Sequence, residues 1–126
     1  MALTNNQAPK DASGAVSADP VPFQVMSADG ASTLANGVVM VTKAGVCAMT
    51  IDNPPSEGVH ELKIVSTTAQ AHTLTYTAGF GGGTTSRDVA TFGGAISDGM
   101  VLVGYGGVWY ISSTRNVTRP KHPIGA

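Results

Sequence analysis

The chain has 126 residues, a formal charge of −1 and only 12% charged residues. That length supports one domain, provided most of the chain contributes to its core. No apolar run approaches a membrane span, and the seven Lys and Arg are scattered except for Arg115, Arg119 and Lys121, so a nucleic-acid footprint is not expected. The low charge leaves a surface suited to contact with other protein, since soluble monomers of this size usually carry more charge to stay apart.

Residues 1–30 read as an extended or disordered arm. Ala, Asn, Ser and Asp dominate, Pro9, Pro20 and Pro22 block regular ladders, and no apolar period is sustained. Such a segment can lie along another protein and donate backbone hydrogen bonds to it. Val21, Phe23, Val25 and Met26 are its expected partner-binding anchors, with Val21, Phe23 and Val25 on one face of an extended chain. On this reading, removal of residues 1–26 leaves the rest folded. Met1 to Gln7 lacks the positive start and apolar stretch of a secretory signal, which points to manufacture in a cytoplasm.

From residue 31 to 118, β-branched runs alternate with turn residues, the spacing of an all-β domain. Val38 to Thr42 and Val46 to Ile51 flank Lys43-Ala44-Gly45, which reads as a three-residue hairpin loop. After the break at Asn53-Pro54-Pro55, Val59 to Thr67 sets His60, Leu62 and Ile64 against Glu61 and Lys63, a half-exposed strand. His72 to Thr77 alternates again. Its row of Thr73, Thr75 and Thr77 suits a solvated face or a subunit contact. Gly79 to Ser86 reads as a flexible loop, and Val89 to Phe92 as a short strand.

Met100 to Tyr105 and Val108 to Ser113 are separated by Gly106-Gly107, a pair suited to the positive φ values of a type I′ turn. That turn fixes a register in which Tyr105 faces Val108, Val103 faces Tyr110, Leu102 faces Ile111 and Trp109 lies across from Gly104. The expected core draws on Val39, Val41, Leu62, Ile64, Leu74, Leu102, Trp109 and Ile111. No stretch carries a capped helical period. The expected fold is an all-β, compact antiparallel sandwich or barrel, with residues 119–126 as a C-terminal tail.

Reactive chemistry is hard to assemble from these residues, and the protein reads as a non-enzyme with no cofactor and no metal. Gly79 to Gly83 lacks the Lys-Ser or Lys-Thr pair of a phosphate loop. His60 and His72 could at best meet on adjacent strands, in a structural role. Cys47, in the strand-like Val46-Cys47-Ala48-Met49, reads as a buried inert thiol. Asp98-Gly99 looks like hairpin punctuation, and Asn116-Val117-Thr118 matches a glycosylation acceptor only on paper.

The run Ala69 to Thr75, then Ala90 to Ile96, Asp98-Gly99, Gly107-Val108-Trp109-Tyr110 and Asn116-Val117-Thr118, resembles small virion structural proteins of tailed bacteriophages, and most of all capsid (head) decoration and head-fibre-like proteins. The resemblance covers about 38–118 and is a pattern of strands and glycines. It implies an all-β homotrimer on the outer surface of an assembled head, bound to the major capsid protein and without need of nucleic acid or membrane. A tail-fibre or receptor-binding module is the alternative, with exposed aromatics such as Phe80 or Tyr105 as contacts.

Overall fold

The computed structural model describes residues 21–82 and 88–120. Ten strands run in chain order: β1 (Phe23–Met26), β2 (Gly30–Ser32), β3 (Gly37–Val41), β4 (Ala48–Ile51), β5 (Val59–Ser66), β6 (Thr73–Thr75), β7 (Val89–Phe92), β8 (Gly99–Tyr105), β9 (Val108–Arg115) and β10 (Val117–Thr118). Among the described residues the only helical element is a single 3-10 turn at Phe80–Gly82. The strands form two five-stranded sheets, β1-β3-β5-β8-β9 and β10-β7-β6-β4-β2. Neither closes into a barrel.

The all-β expectation holds, but the antiparallel one needs correction. The first six strands alternate between the sheets, so a strand rejoins its own sheet only after the chain has crossed the other. It re-enters in the same direction, which makes β1-β3, β3-β5, β2-β4 and β4-β6 parallel. The ladders β5-β8, β8-β9, β6-β7 and β7-β10 are antiparallel. The supposed hairpin at Lys43-Ala44-Gly45 is one of the crossings, because β3 and β4 lie in different sheets.

The β8–β9 hairpin forms as read. Gly106 and Gly107 have φ of 63° and 82°, and Tyr105 pairs with Val108, Gly104 with Trp109, Val103 with Tyr110 and Leu102 with Ile111. The register then slips, so that Val101 pairs with Ser113 and Ser112 is left as a bulge. Inward residues of both sheets make one core. It holds Val39, Val41, Leu62, Ile64, Leu74, Leu102 and Trp109, with Ile111 packed against it only partly buried. Cys47, Ile51, Ala90, the methionines Met26, Met49 and Met100 and the rings of Tyr76, Phe80 and Phe92 complete it.

The expected boundary at residue 30 also moves. Phe23–Met26 is an integral edge strand, with the Val38 N–H donating to Pro22 O at 3.0 Å and the Thr42 N–H to Met26 O at 2.9 Å. The β-domain therefore includes Phe23–Met26. Residues 1–20, the rest of the expected arm, and 121–126 of the expected tail lie outside the described residues.

Candidate partner-binding face

Strand register shows which side chains share the outward face of the first sheet. One row runs Phe23, Val38, Lys63, Val101, Ser113, and the next runs Val25, Met40, Val65, Gly99, Arg115. A third places Glu61 beside Val103 and Tyr110. Most of these are apolar. Because Val39 and Val41 point into the core while Val38 and Met40 point out, β3 is apolar on both faces. A sheet with one solvated face alternates apolar with polar residues, whereas continuous apolar runs belong to strands covered on both sides.

The outward face of the second sheet is different in kind. Its rows are Ala31, Thr50, Thr75, Val89 and Ala48, Thr73, Thr91, Thr118. Threonine hydroxyls suit water there, while the methyl groups pack across the strands. Thr73 and Thr75 thus share the outward face of β6. Of the two sheets, only the first presents a face whose composition calls for a cover.

Phe23 and Val25 stand at the rim of that face, 65% and 49% exposed, with Val21 beyond them at 61%. The Pro22 and Met26 carbonyls point at β3, so by alternation the backbone groups of Phe23 and Val25 point away from it, to the open edge. Met26 corrects the expected set of anchors. It has the opposite parity to Phe23 and Val25 and is buried in the core.

The edge of the second sheet is closed by one side chain. Gln24 turns inward from β1, its Nε2 donating to Ala31 O at 3.2 Å and its Oε1 accepting from the Thr33 N–H at 2.9 Å. These are the groups that a neighbouring strand would bond across β2. Gln24 stands in for it, so that among the described residues the β1 edge is open and the β2 edge capped.

The other residues singled out in the sequence fall into structural roles. His60 and His72 do not meet: His60 bonds Asn36 Nδ2 at 2.8 Å and Glu57 O at 2.8 Å, while His72 is buried by β6. Its Nδ1 accepts from the Cys47 N–H at 2.9 Å, and its Nε2 lies 2.9 Å from Thr68 Oγ1. Since Thr68 Oγ1 donates to Lys43 O at 2.8 Å, the imidazole must donate from Nε2, and the ring is held neutral with Nδ1 bare. Burial pushes its pKa down.

Cys47 is buried as expected, and burial pushes its thiol up. Tyr105 is 63% exposed, but Phe80 is buried and is no surface contact. Among the described residues no group of three His, Cys, Asp or Glu could hold a metal, and no helix is long and apolar enough to cross a membrane.

Asp98 is more than punctuation. Its carboxylate is buried, accepting from the Ala95 N–H at 2.7 Å and from Asn116 Nδ2 at 2.9 and 3.0 Å. Burial alone would raise its pKa, yet the amides of Ala95 and Gly94, the Asn116 side chain and the Arg115 charge hold it below the usual carboxylate range. Asn116 adopts a φ of 54° to make this contact. Its amide, the acceptor atom of the paper glycosylation match, is already committed to Asp98. Searches among family models, curated proteins and solved structures gave no match to this chain.

Proposed function

We propose that the protein is a structural protein of a tailed-phage virion that decorates the capsid, a β-sandwich acting as a homotrimer and attaching to the major capsid protein on the outer surface of the assembled head. The observation that carries this reading is the outward face of the first sheet, where Val38, Met40, Val65, Val101 and Val103 form apolar rows beside the exposed Phe23 and Val25. Burying such a face against protein is favourable at about 25 cal/mol per Å². The low charge of the whole chain and the resemblance of residues 38–118 to decoration proteins support the same conclusion. The segment before β1 extends the contact as an arm, and no reactive step is required of any side chain.

The test is attachment. Purified protein is mixed with assembled shells of the major capsid protein and sedimented, and its position on virions is imaged with a label. Pelleting with shells and a label on the head support decoration. A label on the tail favours the tail-fibre reading, and failure to pellet removes the decoration reading.

A further inference from the structure

The outward face of the first sheet is mostly apolar, with Glu61 in one row and Lys63, Ser113 and Arg115 in the two rows beside it. In the row Val65, Gly99, Arg115, the central residue has no side chain, and a Cβ there would collide with the carbonyl oxygen of Ile64 on β5. Only glycine permits this close approach of β5 and β8. Beside this contact lies a hollow of about 200 Å³, lined among others by Lys63, Ser97, Val101, Ser113, Thr114 and Arg115. The Ser112 bulge beside it re-aims the end of β9, which carries the last three of these.

The charge of the hollow has one sign. Its lining contains an ammonium and a guanidinium, three hydroxyls and no carboxylate. Among the described residues the ion pair that forms is Lys43 with Asp29, so neither Lys63 nor Arg115 pairs with a described carboxylate. Arg115 feels the buried Asp98 at longer range, and Glu61 stands in the next row beside Val103 and Tyr110. Two cations kept apart from carboxylates on an apolar sheet face are expensive to cover unless the covering surface supplies the opposite charge.

We infer that this hollow receives a carboxylate side chain of the partner protein: an aspartate or glutamate on an otherwise apolar partner surface enters between Lys63 and Arg115, and the hydroxyl of Ser113, on the same outward face, donates to it. Arginine offers the planar fork that suits a carboxylate, and lysine adds a point charge from the opposite side. The apolar rows supply contact area, and the hollow supplies register by admitting only partners with an acid at that place. The inference rests on the attachment reading for the protein that carries the acid, while the hollow and its chemistry are tested without any shell.

The probe is a short blocked peptide of alternating valine and glutamate, titrated at low salt into the full-length, isotope-labelled protein and followed by the backbone amide signals. The control is the same peptide with glutamine in place of glutamate. The glutamate peptide is expected to shift Gly99, Val101, Ser113, Thr114 and Arg115 and to bind about tenfold more tightly than the glutamine peptide. Lys63→Gln and Arg115→Gln, with unchanged spectra elsewhere, should each remove most of that preference. Equal binding of the two peptides, or shifts confined to other surfaces, overturns the inference. Inorganic phosphate producing the same shifts at the same concentration also overturns it, by showing a small-anion site. Peptide preference without shell attachment sinks the decoration reading alone, whereas shell attachment without peptide preference sinks the hollow alone.

Discussion

Trp109 lies directly across the hairpin from Gly104, and a Cβ on residue 104 would stand 3.0 Å from the Trp109 ring and 2.8 Å from Pro54 Cβ. The indole fills the space of the missing side chain, and its Nε1 donates to Asp52 O at 2.8 Å. Gly104→Ala should therefore cost about 1–3 kcal/mol through overpacking, because the proline ring cannot swing aside. Trp109→Ala should cost about 3–5 kcal/mol. Urea midpoints of the two variants against the natural protein check both values.

Asn116 and Asp98 give a prediction with a sign in pH. Asn116→Asp sets a second carboxylate against a buried one and should cost about 2–4 kcal/mol at neutral pH. The loss should shrink as pH falls through the carboxylate range and one of the two takes a proton. Asn116→Ala removes a donor to the Asp98 carboxylate and leaves φ near 54° on a residue that disfavours it, so the donor part of its loss should shrink as Asp98 takes a proton while the backbone part persists at low pH. Thermal melts across pH separate the two variants.

His72 predicts a loss of stability on mild acidification. Its folded pKa lies below the 6.5 of the free side chain because burial disfavours the cation. Both states are neutral above 6.5; as pH falls below it the unfolded chain takes up the proton first, so stability declines until the lowered folded value is reached, then levels off. Protonation also turns Nδ1 into a donor facing the Cys47 N–H. His72→Gln should be less stable at neutral pH but flatter across this window, which denaturant titrations at a series of pH values would show.

The start of β1 defines where the chain can be cut. Deleting residues 1–20 should leave the fold intact, since β1 and its ladder remain. Deleting residues 1–26 removes Met26 from the core and Gln24 from the β2 edge, and should cost about 2–5 kcal/mol from the methionine alone. This reverses the expectation that removal of residues 1–26 leaves the rest folded. Circular dichroism melts of the two truncations distinguish them.

Phe23→Ser with Val25→Ser should leave stability within about 1 kcal/mol, since both side chains are exposed, while weakening oligomerisation and shell attachment. Light scattering and co-sedimentation provide the two readouts. Full attachment by this variant would move the contact off the β1 rim.

Local features of the fold were legible, and connections were not. Gly106-Gly107 dictated its own turn, and the turn set four cross-strand pairs correctly. Leu62 and Ile64 announced their burial by alternation with Glu61 and Lys63. Alternation reports which side of a strand is buried but not which sheet the strand joins, so Lys43-Ala44-Gly45 passed for a hairpin loop when it is a crossing. The apolar outward face of the first sheet had its own signal in the sequence: Gly37–Val41 is apolar at successive positions, the mark of a strand covered on both sides. Asp98 and Asn116 meet just beyond the Gly99–Arg115 pair of the β8–β9 hairpin, but the turn alone would set Asp98 opposite Arg115, and the Ser112 bulge that shifts the register had no signal in the sequence.

The alternate winding of the first six strands also sets an order in time. Phe23 needs Val38, Val38 needs Lys63 and Lys63 needs Val101, so each early strand waits for one made later. Only β8 and β9 find each other across a two-residue turn, with the smallest loss of chain entropy on closure. During synthesis β1 and β3 leave the ribosome well before β8, and the first sheet can zip only backwards, from the hairpin towards β1. The strand with the open edge is thereby the last to be fastened and the first to fray.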